Sequence, residues 1–336
     1  MIVVTGASGL VGANLARALL DAHQRVRVVV HRDSAAFQEL NVEQVKADLR
    51  DPDSLNRAFS HADMVYHLAG LITVSASSWS QVEQINTLGT RNVVEACLKN
   101  KINRLVHFSS IEVLQQKPLN VPVDEDRQLV NSNQTPPYAR SKAAAEMEVQ
   151  SGIQRGLDAI LIRPTAIVGP YDFKPSLLGQ AIIKLASGRM PFLVTGGFDW
   201  VDVRDVVSGA IRAAWKAPCG RSYLLSGHWH SIAEMAKMLS QLGARRATRI
   251  VLPRALAYPF APAMEWVARW QRSEPVYTRV SLRTLNSNHV ISHERATREL
   301  GYQPRPVMET LADTLDWFIQ KDYLQSNFIK LHRDDS

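Results

Sequence analysis

The first twelve residues of the chain, MIVVTGASGLVG (residues 1–12), decide the fold. Ile2–Thr5 is an apolar run with the length of a buried strand, and a glycine-rich turn follows it directly. Beyond the turn, apolar side chains recur at every fourth position, at Val11, Leu15 and Leu19. This spacing predicts an amphipathic helix over 10–22. A strand, a tight turn and a helix in this order predict the first unit of a sheet that is covered by helices.

The glycines of this turn are typical of a nucleotide site. Gly6 permits the tight turn, Gly9 lets the backbone approach a pyrophosphate, and Gly12 allows the helix to pack closely on the strand. The first N–H groups of a helix also favour a bound anion. We therefore predict that a dinucleotide binds at this turn. The predicted contacts are Gly6, Ser8, Gly9, Leu10, Val11 and Gly12.

The alternation of strand and helix continues to about residue 165. Further short apolar strands are predicted at 26–31, 43–47, 64–68, 104–109 and 157–163. Helices are predicted between them at 51–59, 80–100 and 138–155. Nearly all-apolar strands that alternate with helices indicate a parallel sheet covered on both faces. The predicted fold class is α/β, with a doubly wound parallel sheet.

Beyond residue 169 the pattern becomes less regular. Helices are predicted at 177–187, 205–216, 231–242 and 309–320, joined by loops rich in proline and glycine. We predict a dinucleotide-binding domain over 1–165 and a smaller, mixed α/β lobe over 166–336 that mainly binds substrate. The segment 200–217 is expected to return to the first domain. Ligands of doubly wound sheets bind at the carboxyl ends of the strands, so the second lobe is expected at that edge.

The composition limits the classes of function. The chain has 336 residues, of which 46% are hydrophobic and 21% charged, as in ordinary globular proteins. Its two cysteines, Cys97 and Cys219, do not form a disulfide framework, which favours a reducing cytoplasm. We recognise neither a secretory signal nor an apolar run long enough to cross a bilayer. The net charge of +7 is interpreted as a solvated basic surface, and no nucleic-acid partner is predicted.

The end of the second predicted strand bears on the choice of cofactor. NAD-specific sheets usually carry an acidic residue there, which binds the 2′-hydroxyl of the ribose. Here the sequence is VVVHRDS (residues 28–34), and Val30 lies about where the acid would be. His31 and Arg32 follow, and an arginine can pair with the 2′-phosphate of NADP. We predict NADP(H) as the preferred cofactor, with NAD(H) as a possible substitute; a basic pair that faces solvent is the alternative interpretation.

The stretch PPYARSK (residues 136–142) carries a tyrosine and a lysine four positions apart. On a helix, positions i and i+4 share one face, so Tyr138 and Lys142 can reach the same ligand. A phenol with a pKa of about 10 is a poor acid–base catalyst at neutral pH. A neighbouring ammonium lowers that pKa, which makes the pair a candidate for proton transfer.

Several motifs follow one another along the chain. They are TGASGLVG (5–12), ADLRD (47–51), HLAG (67–70), INTLGTRNVVEA (85–96), HFSSIEV (107–113), YARSK (138–142), IRPTAIVGP (162–170) and DWVDVRDV (199–206). In this order they resemble the extended short-chain dehydrogenase/reductase family, within the NAD-dependent epimerase/dehydratase superfamily. The chain is most similar to its dihydroflavonol-reductase-like branch and to hopanoid-associated sugar epimerases, and SSIEV is similar to 3β-hydroxysteroid dehydrogenases.

This resemblance implies a Rossmann domain and a catalytic set formed by Ser110, Tyr138 and Lys142. Ser110 would orient the substrate oxygen, Tyr138 would transfer the proton, and Lys142 would also hold the nicotinamide ribose. Asp48 would contact the adenine. The implied cofactor contacts beyond the glycine turn, His31 and Arg32 are Asp48, Leu49, Leu68, Ala69, Gly70, Asn86, Tyr138, Lys142 and Pro164.

The predicted function is NADP(H)-dependent interconversion of a ketone and a secondary alcohol on a partly apolar small molecule. Sugar epimerases of the family tend to carry Asn after the sixth strand and Tyr in the segments VYG and VYGP. This chain has Pro164-Thr165, Val113-Leu114 and Ile167-Val168 at those places, which favours a less polar substrate. A nucleotide-sugar epimerase or dehydratase is the alternative among enzymes. A non-catalytic redox sensor that binds dinucleotide is the alternative outside them.

Two groups of polar residues admit simple explanations. His228 and His230 in GHWH lie two positions apart without a visible third ligand, so no metal site is predicted. Arg204 could meet an acidic group of the substrate, but a salt bridge to Asp202 or Asp205 would explain it equally well.

The segment 258–272, YPFAPAMEWVARWQR, leaves two interpretations open. Its apolar stripe, which includes Trp266 and Trp270, could pack as a helix on the second lobe. It could also be a mobile cover over an apolar pocket and make weak contact with a membrane surface. The protein is expected in the cytoplasm or peripheral to a membrane. The family's usual assembly implies a homodimer, formed by the helices near 90–98 and 143–150.

Overall fold

The computed structural model describes residues 1–31, 35–38, 40–73, 79–244, 250–260 and 277–325. Arg32 and residues 261–272 therefore lie outside the described residues. The strands are β1 (Ile2–Thr5), β2 (Val26–Val30), β3 (Glu43–Lys46), β4 (Met64–His67), β5 (Arg104–Phe108), β6 (Ala159–Pro164), β7 (Ala166–Val168), β8 (Leu193–Val194), β9 (Gly197–Asp202), β10 (Ser222–Leu225), β11 (His228–Ser231) and β12 (Val251–Leu252).

Helices connect these strands. They are α1 (Leu10–Asp21), α2 (Pro52–Ala58), α3 (Trp79–Val82), α4 (Gly89–Lys99), α5 (Pro137–Gln154), α6 (Leu177–Ala186), α7 (Val203–Lys216), α8 (Ile232–Gln241), α9 (Arg254–Ala257), α10 (Arg279–Thr284), α11 (Glu294–Leu300) and α12 (Val307–Gln320). None of the helices within the described ranges is both long and apolar enough to cross a membrane.

The main sheet is parallel throughout and has the order β10-β6-β5-β4-β1-β2-β3. Its first strand pairs on one side with β2 and on the other with β4, so that Thr5 lies between Val29 and His67. The chain runs from β1 to β2 and β3 on one side and then crosses to β4 on the other side of β1, and this reversal opens a crevice at the carboxyl ends of the strands. The predicted doubly wound sheet is confirmed.

Alternation along the strands gives the sheet two buried faces. Val4 and Val106 point into a core shared with α1 and α7. Val3 and Leu105, their neighbours in sequence, point to the opposite face and pack with residues of α2, α4 and α5. Because both faces are covered, the strands are apolar at nearly every position, and this is the pattern that made them recognisable.

The second half of the chain contributes to both parts of the molecule. Helix α7 packs against α1, and β10 is the edge strand of the main sheet beside β6. The smaller sheets, β11-β9-β7 and β12-β8, pack with α6, α8 and α12 around a separate core. The division of the chain at residue 165, with 200–217 returning to the first domain, stays a prediction.

The segment predicted as one helix over 80–100 is interrupted. It consists of α3, a π-helical turn at Glu83–Leu88 and α4. The π turn contains Asn86, whose side chain bonds to Leu71 and Ser141 in other parts of the chain. π-Helical turns within α-helices are frequent at functional sites. Tertiary bonds of this kind leave no trace in the helical pattern, which explains the difference.

Candidate active site

A cavity of about 1260 Å³ extends from the glycine turn to the second lobe. It lies at the carboxyl ends of the strands, where ligands of doubly wound sheets bind. Most of the predicted site residues lie along it. These are Gly6, Ser8, Gly9, Leu10, Val11, Gly12, Leu68, Ala69, Gly70, Ser110, Tyr138, Lys142 and Pro164.

The glycine turn leaves room for a phosphate group. Gly6 has a φ of +67°, and a Cβ there would lie 2.5 Å from the backbone nitrogen of Ala69. A Cβ on Gly12 would lie 2.4 Å from the carbonyl oxygen of Gly6. A Cβ on Gly9 would make only an ordinary contact, 3.5 Å from the carbonyl oxygen of Gly6; Gly9 lines the cavity and is the N-cap of α1, without a side-chain cap. Uncapped N–H groups at the wall of a cavity suit a pyrophosphate, so the turn fits the predicted dinucleotide.

Among the described residues, four predicted cofactor contacts do not line this cavity: His31, Asp48, Leu49 and Asn86. Asp48 is held by Arg50, whose Nη2 lies 2.6 Å from Oδ2, and His31 Nε2 lies 3.7 Å from the same oxygen. The hydrogen bonds from Arg50 lower the pKa of Asp48 to about 2. The adenine contact of Asp48 stays a prediction.

Ser110 lies two positions after the last residue of β5. It caps a 3₁₀ turn at Ile111–Val113, where its Oγ accepts a hydrogen bond of 3.2 Å from the N–H of Glu112. Its side chain also hydrogen-bonds to Tyr138. The capping role and the contact with Tyr138 therefore coexist in one residue.

Tyr138 lies in the first turn of α5, which begins at Pro137. Burial raises the pKa of its phenol, the charge of Glu112 raises it further, and the hydrogen bond with Ser110 lowers it. The sequence predicts that Lys142 lowers this pKa, and the structure gives the opposite direction because burial dominates. At neutral pH the phenol keeps its proton, so it is prepared to donate that proton to an oxygen.

Lys142 is directed at a strand instead of at the phenol. Its Nζ donates a hydrogen bond of 2.6 Å to the carbonyl oxygen of Phe108, the last residue of β5. The side chain is 5% exposed, and burial lowers its pKa to about 8, against the opposing charge of Glu146. Glu146 in turn forms a buried ion pair of 2.7 Å with Arg163.

Asn86 ties the HLAG segment to the catalytic helix. Its Oδ1 accepts a bond of 2.7 Å from the N–H of Leu71, and its Nδ2 donates to Leu71 O and to Ser141 Oγ at 3.0 and 2.9 Å. Ser141 then donates to the carbonyl oxygen of Tyr138 at 2.8 Å. Asn86 thus holds the first turn of α5 in position from beneath the cavity.

Sequence reasoning did not find the residues that support Asn86. Thr90 donates a hydrogen bond of 2.6 Å to the carbonyl oxygen of Asn86 and lies 3.1 Å from His67 Nε2. His67 Nδ1 lies 2.8 Å from the hydroxyl of Thr5. Burial lowers the pKa of His67 to about 3, so the ring is neutral and Nδ1 can accept from Thr5 while Nε2 donates to Thr90. The sequence offers one signal for this network: His67 is a polar side chain at the end of an otherwise apolar strand.

The other candidates have local partners. Arg204 forms ion pairs with Asp202 at 2.7 Å and with Asp313 at 2.6 Å, which agrees with the simpler of its two interpretations. His228 and His230 lie on β11. In the described part of the chain, no group of three or more His, Cys, Asp or Glu side chains is arranged to hold a metal ion.

Comparison with known proteins agrees with this geometry. Residues 2–225 match the NAD dependent epimerase/dehydratase family. Sterol demethylase protein B of Methylococcus capsulatus is 34% identical over 95% of this chain and 98% of its own length. The chain belongs to the extended short-chain dehydrogenase/reductase family. The 2-alkyl-3-oxoalkanoate reductase of Stenotrophomonas maltophilia, another similar member, is 30% identical over 92% of this chain and 96% of its own.

The crystal structure of gox2253 has the same fold, with 34% identity, a TM-score of 0.84, and coverage of 97% of this chain and 99% of that one. The protein is thus an NAD(P)-dependent enzyme of the short-chain dehydrogenase/reductase type. The family binds a nicotinamide dinucleotide and acts on small molecules. The glycine turn and the cavity that it shares with Tyr138 fit this cofactor.

Proposed function

We propose that this enzyme interconverts a ketone and a secondary alcohol on a partly apolar small molecule, with NADP(H) as cofactor. The observation that carries the proposal is the wall of the cavity beyond Tyr138. That wall is largely apolar and includes Ile111, Leu114, Ile167, Leu178, Phe198 and Trp200. A site of this kind binds a hydrophobic body and orients it through a few polar groups.

The polar groups of the site have separate tasks in this proposal. Tyr138 donates its proton to the carbonyl oxygen as the alcohol forms, and Ser110 donates a hydrogen bond to the same oxygen. Lys142 holds the nicotinamide ribose, and its bond to Phe108 O keeps α5 beside the strand that leads to Ser110. The nicotinamide, when bound, supplies or accepts the hydride.

The chemistry of one wall residue argues against a nucleotide sugar. Leu114 lines the cavity at the position where sugar epimerases of the family tend to carry the tyrosine of VYG. Val168, at the tyrosine position of VYGP, is buried in the second core. Neither side chain can hydrogen-bond to a sugar hydroxyl, so a polar substrate would lose bonds to water without replacement. A non-catalytic redox sensor is also disfavoured, because it would have no use for Ser110 and Tyr138 in hydrogen-bond contact.

The preference for NADP(H) rests on the end of β2. His31 is exposed there and Arg32 follows it in sequence, so a 2′-phosphate would meet positive charge. Neither strand β2 (Val26–Val30) nor position 31 carries an acidic residue, which would favour NAD.

Assembly and location complete the proposal. Met147 on α5 is 66% exposed, next to the face that α5 shares with α4, and an apolar side chain there suits a homodimer interface. Ile250 and Leu256, which precede the segment 258–272, and Phe260 within it are exposed, and weak contact with a membrane surface would cover them. We expect a cytoplasmic enzyme that binds weakly and reversibly to a membrane surface.

A panel of ketones tests the proposal. Purified enzyme is mixed with NADPH and with cyclic and open-chain ketones of increasing apolar size, and oxidation of the cofactor is followed by absorbance. UDP-glucose is tested in parallel for epimerisation by NMR. We expect reduction of the apolar ketones and no change in the sugar nucleotide. Epimerisation of the sugar nucleotide without reduction of any ketone would overturn the proposal in favour of the rival enzyme class.

A further inference from the structure

Asp172 is an acidic side chain of the cavity that the proposed reduction does not use. It lies in the loop between β7 and α6, and it lines the same cavity as Tyr138. The residue is 2% exposed, and burial raises the pKa of its carboxyl to about 6, against the hydrogen bonds from Ser176. At neutral pH most of this carboxyl is therefore ionised. A buried carboxylate is costly unless hydrogen bonds satisfy its two oxygens.

In the described part of the chain, only one of these two oxygens has hydrogen-bond partners. Oδ2 of Asp172 accepts two bonds of 2.8 Å, from the N–H and from the hydroxyl of Ser176. Oδ1 accepts none from the described residues. Because Asp172 lines the cavity, this second oxygen is available to a ligand.

The carboxyl of Asp172 is held in a fixed position. Ser176 is the N-cap of α6, and its hydroxyl also accepts a bond of 3.1 Å from the N–H of Gly179. A Cβ on Gly179 would lie 2.3 Å from Asp172 Oδ2, so the carboxyl packs directly on the helix. At the start of the loop, Asn14 of α1 donates a bond of 2.9 Å to the carbonyl oxygen of Pro170. An acceptor that is fixed in this way loses little freedom when a ligand binds it.

The charges of the cavity indicate which kind of donor suits Asp172. Basic side chains outnumber acidic ones along the wall. The basic ones are Lys117, Lys142, Lys174, Lys184 and Arg283, and the acidic ones are Glu112, Asp172 and Asp199. An ammonium group on the substrate would be repelled by the basic side chains. A hydroxyl group donates a hydrogen bond to the carboxylate without this repulsion, and it is therefore the donor that the cavity favours.

We propose that Asp172 is a specificity-determining residue, which binds a hydroxyl group of the substrate through Oδ1. The inference rests on the proposed ketone chemistry and narrows its substrates to hydroxyketones. The carbonyl oxygen of such a molecule meets Tyr138, its hydroxyl meets Asp172, and an apolar segment between them contacts wall residues such as Leu178. A site built to hydrogen-bond one group of a substrate rejects the analogue that lacks it, because the polar group of the site is then left unpaired.

Two series of ketones test the proposal. In the first, a methyl ketone carries a hydroxyl group at the far end of an alkyl chain, and the chain is lengthened from one compound to the next. In the second, a methyl ether replaces the hydroxyl, which keeps the oxygen and removes the donor. Oxidation of NADPH gives kcat/KM for each compound. At the best chain length we expect the parent to prefer the hydroxyl by roughly ten- to a hundredfold, the usual contribution of a hydrogen bond to a charged group.

Asp172→Asn keeps a carbonyl oxygen for Ser176 and places an NH₂ group where Oδ1 was. We expect the preference to fall at least about tenfold, because the acceptor is gone, whereas a merely structural defect would lower both series equally. Asp172→Glu retains a carboxylate and should keep a measurable preference, which guards against a folding defect of the amide variant. Asp51→Asn is the matched control, because Asp51 also caps backbone N–H groups, at the start of α2, without lining the cavity.

Each other outcome has a definite meaning. A parent that reduces the hydroxyketones and the ethers equally at every chain length overturns the role of Asp172 and leaves the proposed reduction standing. A preference that is unchanged in Asp172→Asn does the same, as does reduction of the wider panel of ketones without either series. A parent that reduces none of these ketones contradicts the proposed function itself, and the role of Asp172 with it.

Discussion

Lys142 Nζ donates a hydrogen bond of 2.6 Å to the carbonyl oxygen of Phe108. These residues lie 34 positions apart, and the bond joins the catalytic helix to the last residue of β5, two positions before Ser110. The ammonium therefore has a structural partner in addition to its proposed contact with the cofactor. Its burial lowers its pKa to about 8, within the range of ordinary assays.

This pKa predicts how cofactor binding depends on pH. Lys142 is charged below about pH 8 and becomes neutral as the pH rises through that value. We expect the affinity for NADPH, measured by fluorescence titration from pH 6.5 to 9.5, to fall as the pH rises through about 8. Lys142→Met keeps the apolar stem without the charge, so it should bind weakly at every pH and show no such step. An unchanged pH dependence in Lys142→Met would contradict the prediction.

Replacement of the phenol tests the proton transfer. Tyr138→Phe should lower kcat for ketone reduction by about a hundred- to ten-thousandfold, the usual contribution of a general acid. Cofactor affinity should stay within a few-fold, because the ring is retained. Tyr66→Phe is the matched control: this hydroxyl is buried in the sheet and lacks a hydrogen-bond partner among the described residues, so its loss should leave turnover unchanged. Activity of Tyr138→Phe within tenfold of the parent would remove Tyr138 from the mechanism.

The direction of the pKa shift of Tyr138 illustrates what could be predicted and what could not. The spacing of Tyr138 and Lys142 correctly placed both on one helix, since helical periodicity is a local property. The bond from Lys142 to Phe108 joins two distant segments, and so does the contact of Ser110 with Tyr138. Such contacts depend on the packing of α5 against β5, which no local pattern reports.

The fold shows the same distinction. Strands such as β4 are buried on both faces and are apolar at nearly every position, so they stood out in the sequence. Strand β9 was not predicted, because it belongs to a smaller sheet outside the regular alternation of strand and helix. It pairs there with β7 and with β11, which contains the polar residues His228 and His230.

Cofactor preference is expected to depend on Arg32. A charge-assisted hydrogen bond to a phosphate typically contributes about 1.5–3 kcal/mol to the free energy of binding, which corresponds to roughly ten- to a hundredfold in affinity. The parent should bind NADPH more tightly than NADH, and Arg32→Ala should erase most of that difference. Arg25→Ala, just before the opposite end of the same strand, is the matched control. Dissociation constants from fluorescence titration decide the matter, and an equal or tighter constant for NADH in the parent would contradict it.

The proposed homodimer can be tested at Met147. This side chain is 66% exposed on α5, and two copies of it would approach each other at a two-fold interface of α4 and α5. Met147→Asp would place a charge in that interface, so we expect light scattering to report a dimer for the parent and a monomer for the variant. Trp215→Asp, at a residue of α7 that is 64% exposed, is the matched control and should remain dimeric. A monomeric parent at micromolar concentration would refute the assembly.

The last prediction concerns the surface that begins at β12 and continues into 258–272. Leu256 and Phe260 are 60% and 66% exposed, and the chain between 241 and 310 contains 11 Arg but only 5 Glu, with no Lys or Asp. Exposed apolar side chains among positive charges favour the surface of an anionic bilayer. We expect the parent to float with vesicles that contain anionic lipid, to float poorly with neutral vesicles, and to be released by salt.

Two double variants separate the contributions to this binding. Leu256→Ser/Phe260→Ser removes the apolar groups seen at the surface and should lower the bound fraction at least about threefold, because burial of each is worth roughly 1.5–3 kcal/mol when complete. Trp266→Ala/Trp270→Ala tests the tryptophans of the segment, which lie outside the described residues. Trp215→Ser removes an equally exposed apolar side chain from α7 and should float like the parent. If all three variants float equally well, the attraction is purely electrostatic; if the parent does not float at all, these side chains serve another purpose than membrane contact.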